Sequence, residues 1–168
     1  MKTNIVLVGF MGTGKNAVGE ELARCLNMEF ADTDDLIERQ ERWAIVDIFA
    51  KFGEAYFREA EKRAVKEASS MNNTVIATGG GVVLDEENIK ILKEKGTVVC
   101  LSADADTIYK RTKKYKHRPL LNVGDPVEKI KELLDLRAPF YAKADHQVDT
   151  TGLSVEQVAR KIIEIVQA

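Results

Sequence analysis

The sequence has few of the residues that are typical of secreted, zinc-stabilised or membrane-spanning proteins. Cys25, Cys100, His117 and His146 are its only cysteines and histidines, and their spacing is not that of zinc ligands. The two cysteines lie in separate apolar segments, so we expect two buried, reduced thiols. No apolar run approaches the ~20 residues that span a bilayer, and the amino-terminal run is too short for a signal peptide. These absences predict a cytoplasmic protein with no membrane partner.

An excess of charge of one sign is also missing. The chain has 25 Lys and Arg against 27 Asp and Glu, a net charge of −2, which gives no reason to expect a nucleic-acid partner. Its 168 residues, 45% of them hydrophobic, fit one compact domain over 1–168, and we find no repeat or low-complexity tract. The one dense basic run is 110–119. It is followed by loop-like residues at 122–126, where we expect a mobile segment.

Short apolar runs rich in β-branched residues alternate with helical patterns along the chain. The predicted strands are 4–9, 28–34, 74–81, 97–103 and 147–150. The predicted helices are 16–27, 35–70 with a break at Gly53, and 154–167 with Ser154 as N-cap. Strands that alternate with helices pair in parallel and are covered on both faces, so we predict a three-layer α/β/α domain.

The segment GFMGTGKNAVG, residues 9–19, falls between the first predicted strand and the first predicted helix. It matches the phosphate-loop pattern G-x-x-x-x-G-K, in which glycine amides and a helix N-terminus surround phosphate oxygens. A glycine-rich turn with a surface lysine is the alternative. We predict a nucleotide-binding loop in which Lys15 reaches the terminal phosphates. Its residues are Gly12, Thr13, Gly14, Lys15, Asn16 and Ala17.

Asn16 departs from that pattern, because a serine or threonine hydroxyl at this position ligates Mg²⁺ directly. An amide oxygen is also a hard ligand, but it lies one bond further from the backbone, so direct ligation would shift the metal. A displacement of about 1 Å at a reacting centre can cost on the order of a hundredfold in rate. Ala17 lacks the hydroxyl that often comes next. We expect nucleotide binding to survive and metal positioning to be weaker.

Acidic residues follow the second predicted strand in DTDDL, residues 32–36. Asp34 could orient an attacking hydroxyl or accept its proton, and Asp32 could hold a metal-bound water. A helix N-cap cluster is the alternative explanation, since acidic side chains are favoured in a first turn. We prefer that explanation for Asp35.

Three arginines and a glycine run are further candidates for ligand contact. Arg58 lies three residues before Glu61 and shares its helix face, while Arg118 and Arg137 could bind a carboxylate or a transferring phosphoryl group. Solvated surface charge is the alternative for each arginine. TGGG, residues 78–81, ends a predicted strand with bare backbone amides suited to a closely approaching ligand, and a plain loop fits it equally well.

Seven motifs occur in the order known from one enzyme family: GFMGTGK, DTD, FREAE, TGGG, RPLL, LRAPFY and VDTTG. Over nearly all of its length the chain resembles shikimate kinase, a family of small P-loop kinases related to the nucleoside monophosphate kinases. The resemblance implies a P-loop kinase fold with a five-stranded parallel sheet in the order 2-3-1-4-5. It also implies a substrate-binding helical region at about 33–61 and a mobile lid at about 112–124.

The resemblance further implies a role for each matching position. Arg58 and Arg137 would bind the shikimate carboxylate, Asp34 its ring hydroxyls, and Glu61 would hold Arg58. Phe49 and Phe57 would form apolar walls, and Gly79, Gly80 and Gly81 would surround the ring. Lys15 and Arg118 would neutralise the migrating phosphoryl group, while Arg111 and 148–152, with Asp149, would flank the adenine. Asp32 would hold Mg²⁺ through water and Asn16 would ligate it, since TGGG replaces the aspartate that other P-loop proteins use.

The implied activity is transfer of the γ-phosphoryl group of ATP to the 3-hydroxyl of shikimate, with Mg²⁺, by a monomer. Two other functions stay open. One is a kinase for another small polyol acid such as gluconate, or for a nucleoside monophosphate. The other is a protein that binds shikimate and nucleotide with weakened turnover, and Asn16 is the residue that suggests it.

Overall fold

A computed structural model of the protein describes residues 1–115 and 124–168. Arg118 and most of the predicted lid lie outside these residues. The described chain contains a five-stranded, all-parallel sheet in the order β2-β3-β1-β4-β5, so the predicted topology is confirmed. Its strands are β1 (Asn4–Gly9), β2 (Glu29–Asp32), β3 (Thr74–Ala77), β4 (Gly96–Ser102) and β5 (His146–Asp149).

Seven α-helices connect and cover these strands in the described residues. They are α1 (Lys15–Leu26), α2 (Thr33–Glu41), α3 (Ile45–Ser70), α4 (Glu86–Lys95), α5 (Ala105–Thr112), α6 (Pro126–Tyr141) and α7 (Val155–Gln167). A short 3₁₀ turn, Val82–Leu84, follows β3. Among the described residues, no helix is both long and apolar enough to cross a membrane.

The alternation of side chains along β1 divides the core into two layers. Ile5 and Leu7 pack with α1 and α7 on one face of the sheet. Val6 and Val8 pack on the other face, where the buried residues come from α2 to α6. The predicted α/β/α arrangement is therefore present. Because all strands are parallel, the loops after β1, β2 and β3 meet at one edge of the sheet.

Some element boundaries differ from the predicted ones for identifiable reasons. β2 ends at Asp32, earlier than predicted, because the Asp32 carboxylate accepts the Asp34 N–H at 2.8 Å and so caps α2. The long predicted helix is interrupted after Glu41 by Arg42, which has φ 59°. Its predicted break at Gly53 is confirmed, since Gly53 has φ 81° and ψ 174°. Ser154 caps α7, as predicted, in a capping box completed by Gln157.

The cysteines are both free thiols, but the prediction that both are buried was wrong for Cys25. Cys100 is buried in β4, whereas Cys25 is exposed on α1. The Cys25 thiol lies 3.4 Å from Glu21 Oε1, and Arg24 is bonded to the same carboxylate, so this side of the helix faces solvent.

Candidate active site

The phosphate loop joins β1 to α1 and presents backbone donors at the carboxyl edge of the sheet. Gly12 and Gly14 have φ values of 78° and 94°, which side-chain-bearing residues rarely adopt, so the loop depends on glycine there. Gly14 is the N-cap of α1, and no side chain in the described part of the chain caps that N-terminus. The first N–H groups of α1 are therefore directed toward the position that a bound anion would occupy.

Lys15 and Asn16, at the start of α1, have different partners. The Lys15 ammonium is buried and donates to the carbonyl oxygens of Gly9, at 2.6 Å, and Phe10, at 3.0 Å. It thus lies directly against the loop that it is predicted to serve. The Asn16 amide nitrogen donates to Asp32 Oδ2 at 2.5 Å, which links the start of α1 to the end of β2.

Asp32 is the last residue of β2 and a partner in this hydrogen bond, and Asp34 lies in the first turn of α2. Asp32 is 9% exposed and serves as the α2 N-cap, so the capping explanation holds for it, and Asp35 lies in the first turn of α2 as expected. Burial raises the pKa of Asp32. The pKa of Asp34 is raised to about 7, first by burial and then by the neighbouring charges of Asp32 and Glu61. A carboxyl group with this pKa can exchange a proton near neutral pH.

Arg58 and Glu61 form an ion pair one turn apart on α3. Arg58 Nη1 lies 2.9 Å from Glu61 Oε1, and the Glu61 side chain is 2% exposed whereas that of Arg58 is 29% exposed. Burial raises the pKa of Glu61, and the Arg58 charge opposes that shift. The buried carboxylate therefore fixes one side of the guanidinium group, and the other side faces solvent, where Glu54 lies 3.4 Å away.

Arg137, on α6, reaches the glycine turn after β3. Its Nη1 donates to the carbonyl of Gly80 at 3.4 Å, and its guanidinium carbon lies 5.4 Å from the centre of the Phe10 ring. The Tyr141 hydroxyl donates to the same Gly80 carbonyl at 3.1 Å. Arg137 and Tyr141 thus hold α6 against the glycine turn after β3.

The three glycines of TGGG each face a different predicted ligand-binding side chain. A Cβ atom at Gly79 would lie 2.9 Å from Asp34 Oδ1, and one at Gly81 would lie 2.6 Å from Arg58 Nη1. A Cβ atom at Gly80 would lie 3.7 Å from Arg137 Nη1. Side chains at Gly79 and Gly81 would displace these groups, so the glycine turn leaves the space in which an aspartate and two arginines gather.

Two phenylalanines stand beside this cluster. The rings of Phe49 and Phe57 are 4.4 Å apart between centroids, with Phe57 buried and Phe49 39% exposed. The Arg58 guanidinium carbon lies 5.3 Å from the Phe57 ring centre. An apolar surface therefore borders the Arg58 guanidinium, a combination that suits a small ring bearing a carboxylate.

Arg111, expected beside the adenine, is bonded to the protein itself. Its guanidinium donates to the Gly12 carbonyl at 3.3 Å and to the side chain and carbonyl of Thr150 at 3.0 and 3.1 Å. It therefore ties α5 to the phosphate loop and to the segment after β5. Asp149, at the end of β5, is exposed and accepts the Thr151 N–H at 2.9 Å.

Sequence reasoning missed the supporting roles of Tyr141 and Thr150. Tyr141 ends the LRAPFY motif and Thr150 lies within VDTTG, so both belong to recognised motifs, but no contact was predicted for either. Thr33, which accepts the Gly79 N–H at 3.2 Å, was likewise not singled out. The predicted site residues in the described chain lie at the carboxyl edge of the sheet or on the helices beside it, and Arg118 lies outside that part.

A phosphate loop at the end of β1 in a parallel sheet of order 2-3-1-4-5, with a polar cluster beside it, defines a small P-loop kinase. The family model described as Shikimate kinase matches residues 11–167. The chain belongs to the shikimate kinase family.

Individual relatives agree with this assignment. A shikimate kinase of Thermodesulfovibrio yellowstonii is 50% identical over 161 residues, which are 96% of this chain and 93% of that protein. One from Caldanaerobacter subterraneus is 48% identical over 95% of this chain and 94% of its own length. Among solved structures, Acinetobacter baumannii shikimate kinase in complex with shikimate superposes with a TM-score of 0.94 at 39% identity, covering 99% of this chain and 94% of that one.

Proposed function

We propose that this protein transfers the γ-phosphoryl group of ATP to the 3-hydroxyl of shikimate and forms shikimate 3-phosphate. Membership of the shikimate kinase family supports the reaction class. The observation that carries the choice of substrate is the glycine turn at 79–81, where Asp34, Arg58 and Arg137 each approach a different glycine. Two arginines beside an aspartate and an aromatic wall suit an acceptor that has one carboxylate and several hydroxyls.

In the proposed complex, Arg58 and Arg137 bind the acceptor's carboxylate and thereby fix the orientation of its ring. Glu61 holds Arg58 in place, since its buried carboxylate lies 2.9 Å from Arg58 Nη1. Asp34 accepts a hydrogen bond from the attacking hydroxyl and takes its proton as the phosphorus–oxygen bond forms. Phe49 and Phe57 exclude water from one side of the ring, which limits transfer of the phosphoryl group to water.

The proposed ATP site is the phosphate loop, 12–17, with its polyphosphate on the N–H groups of the loop and of α1. Lys15 supplies positive charge to the transferring group, and Arg118 supplies a second charge from the proposed lid at 112–124. Positioning and charge stabilisation carry most of the catalysis in phosphoryl transfer. Arg111, which is bonded to Gly12 and Thr150, would flank the adenine together with Asp149.

The donor chemistry beside the loop suits Mg²⁺. Asn16 and Asp32 offer amide and carboxylate oxygens, which are hard ligands, and Mg²⁺ in kinases is commonly held by one or two protein oxygens plus phosphates and water. When bound, Mg²⁺ neutralises charge on the β- and γ-phosphates. We propose that Asn16 and Asp32 together form the Mg²⁺ site.

A phosphorus NMR time course with ATP, Mg²⁺ and shikimate tests the proposal directly. We expect the ATP signals to decrease as ADP and a phosphate monoester appear together. Shikimate methyl ester, which keeps the hydroxyls and loses the carboxylate charge, is the matched acceptor and should react poorly because the two arginines lose their partner. Efficient transfer to gluconate or to a nucleoside monophosphate, with none to shikimate, would overturn the substrate assignment.

The Asn16–Asp32 bond favours one alternative, a protein that binds both ligands with weak turnover. In that case calorimetry would detect binding of nucleotide and shikimate, while no phosphate monoester would form with Mg²⁺ or Mn²⁺. We further propose that the enzyme acts as a monomer in the cytoplasm, because the proposed site uses residues of one chain and ATP is available there. Sedimentation of the active protein tests the monomer.

A further inference from the structure

The contact between Asn16 and Asp32 joins the residue that departs from the usual phosphate loop to a buried carboxylate. Asn16 Nδ2 lies 2.5 Å from Asp32 Oδ2, and the other oxygen of Asp32 accepts the Asp34 N–H at 2.8 Å. Asp32 itself is 9% exposed, whereas Asn16 belongs to the exposed face of α1. A flexible exposed side chain is thus tied to a fixed acceptor.

The chemistry of the two groups determines how the amide is turned. An ionised carboxylate only accepts hydrogen bonds, so the nitrogen of the Asn16 amide must face it. The amide oxygen is bonded to the same carbon and therefore points away from Asp32. An unanchored asparagine would sample several rotamers, and its oxygen would have no fixed position.

We infer that Asp32 is a positioning residue for Asn16: it anchors the amide nitrogen so that the amide oxygen is presented as the direct ligand of the nucleotide-bound divalent cation. This inference rests on the nucleotide-and-metal part of the proposed function. It assigns Asp32 a different role from the water-mediated one that the family resemblance implies, because Asp32 acts through Asn16.

The greater length of asparagine explains why such an anchor is needed. A serine oxygen is one bond from Cβ and has few positions available, whereas the asparagine oxygen is one bond further away and moves with a second torsion angle. Partners that orient a metal ligand typically change metal affinity by roughly 10–100-fold when they are removed. The Asp32 carboxylate is held in turn by its capping bond from the Asp34 N–H, so it offers the Asn16 amide an acceptor in a fixed position.

A double-mutant cycle on metal affinity separates the two roles. The variants are Asn16→Ala, Asp32→Ser and the double variant, and serine is chosen at position 32 because it can still cap α2. The affinity of Mn²⁺ for the enzyme–ADP complex is measured from the free Mn²⁺ signal in electron paramagnetic resonance. We expect each single variant to lose roughly tenfold in Mn²⁺ affinity, and the double variant to lose no more than either single one.

Two controls isolate the contact from general damage. Asp85 caps α4 by accepting the Glu87 N–H at 2.9 Å, the same type of cap, so Asp85→Ser should leave Mn²⁺ affinity unchanged. ADP affinity without metal should change less than twofold in every variant, because the loop amides are untouched. Asp32→Thr, a second capping variant, repeats the cycle if Asp32→Ser does not fold.

Losses that multiply in the double variant would overturn the inference, since Asp32 would then reach the metal independently of Asn16. Full Mn²⁺ affinity in Asn16→Ala, or no Mn²⁺ binding by the unmodified enzyme with ADP, would also overturn it. The inference and the proposed function can fail separately. If the enzyme phosphorylates shikimate but the losses of Mn²⁺ affinity multiply in the double variant, the function stands and the inference is wrong. If the losses of Mn²⁺ affinity do not multiply but shikimate is not phosphorylated, the inference stands and the proposed substrate is wrong.

Discussion

The two halves of the candidate site are built in different ways. The phosphate-loop half comes from one contiguous segment, 12–17, in which no side chain of the described residues caps the N-terminus of α1. The acid-binding half comes from side chains of α2, α3 and α6, which meet at the glycine turn 79–81. The departure from the family pattern lies in the first half, at Asn16. Its side chain is held by a hydrogen bond to Asp32, which can offset the greater length of asparagine. A contiguous loop can therefore tolerate a changed side chain, whereas the acid-binding half depends on long-range placement.

The largest expected effect lies in the acid-binding half, at Asp34. Asp34→Asn should lower kcat by about 10²–10⁴-fold, because an amide cannot take the proton of the attacking hydroxyl. The pKa of Asp34 is raised to about 7, so the unmodified enzyme should lose activity as pH falls below 7 and the carboxyl takes up a proton. Steady-state kinetics across pH check both points. Asp35→Asn, the exposed neighbour, is the control, and an equal loss there would contradict the assignment.

Arg137→Ala should have the next largest effect and should act on acceptor binding. Loss of one charged hydrogen-bonding partner of a carboxylate corresponds to about 1.5–3 kcal/mol, or roughly 10–100-fold in the KM for shikimate. The KM for ATP should change little, which would confirm that the two halves are separable. Lys131→Ala removes an exposed cation from the same helix and should leave both values unchanged. Equal increases in the two KM values would argue against the division.

Asn16→Ser tests the phosphate-loop half with a substitution that is expected to raise activity, unlike the two variants above. Because serine restores the shorter ligand, we expect kcat to rise by roughly tenfold, within the hundredfold that a 1 Å displacement can cost. The Mg²⁺ concentration needed for half-maximal rate should fall as well. The effect should be absent from the KM for shikimate. If neither turnover nor the Mg²⁺ requirement changes, the asparagine is harmless.

The smallest effect is expected at Arg111, which braces the loop from α5. Arg111→Ala removes bonds to the Gly12 carbonyl and to Thr150, so the loop should become less well ordered. We expect a few-fold increase in the KM for ATP, corresponding to roughly one neutral-acceptor hydrogen bond, with kcat nearly unchanged. Lys110→Ala, an exposed neighbour, is the matched control. A loss confined to kcat would indicate direct contact with the reacting phosphates.

Local patterns predicted the sheet because the strands are short, apolar and separated by helices. The end of β2 at Asp32 was missed because it depends on a capping bond from the Asp34 N–H. The end of α2 at Arg42 was missed because the residue with positive φ there is not a glycine and no proline follows it. Cys25 was predicted buried from its apolar neighbours, but its place beside Glu21 depends on how α1 is rotated against the sheet.

The candidate site residues were recognisable through the motifs, and the contact between Arg58 and Glu61 was predicted, but most of the other contacts were not. The pairing of Gly12, Arg111 and Thr150 joins three distant segments, and no local pattern encodes such a contact. The same is true of Tyr141 on the Gly80 carbonyl and of Asn16 on Asp32. Spacing along the chain identifies residue types, whereas hydrogen-bond partners depend on the packing of helices on the sheet.

The interruption at Gly53 has a consequence for the aromatic wall. On one straight helical axis, positions 49 and 57 would be separated by a rise of about 12 Å, yet their rings are in contact, with centroids 4.4 Å apart. A single residue with φ 81° redirects the axis and closes that distance, although nothing lies within 4 Å of where its Cβ would be. Alanine would fit the space and still oppose the bend, so the contact between the two rings depends on the conformational freedom of the glycine at position 53.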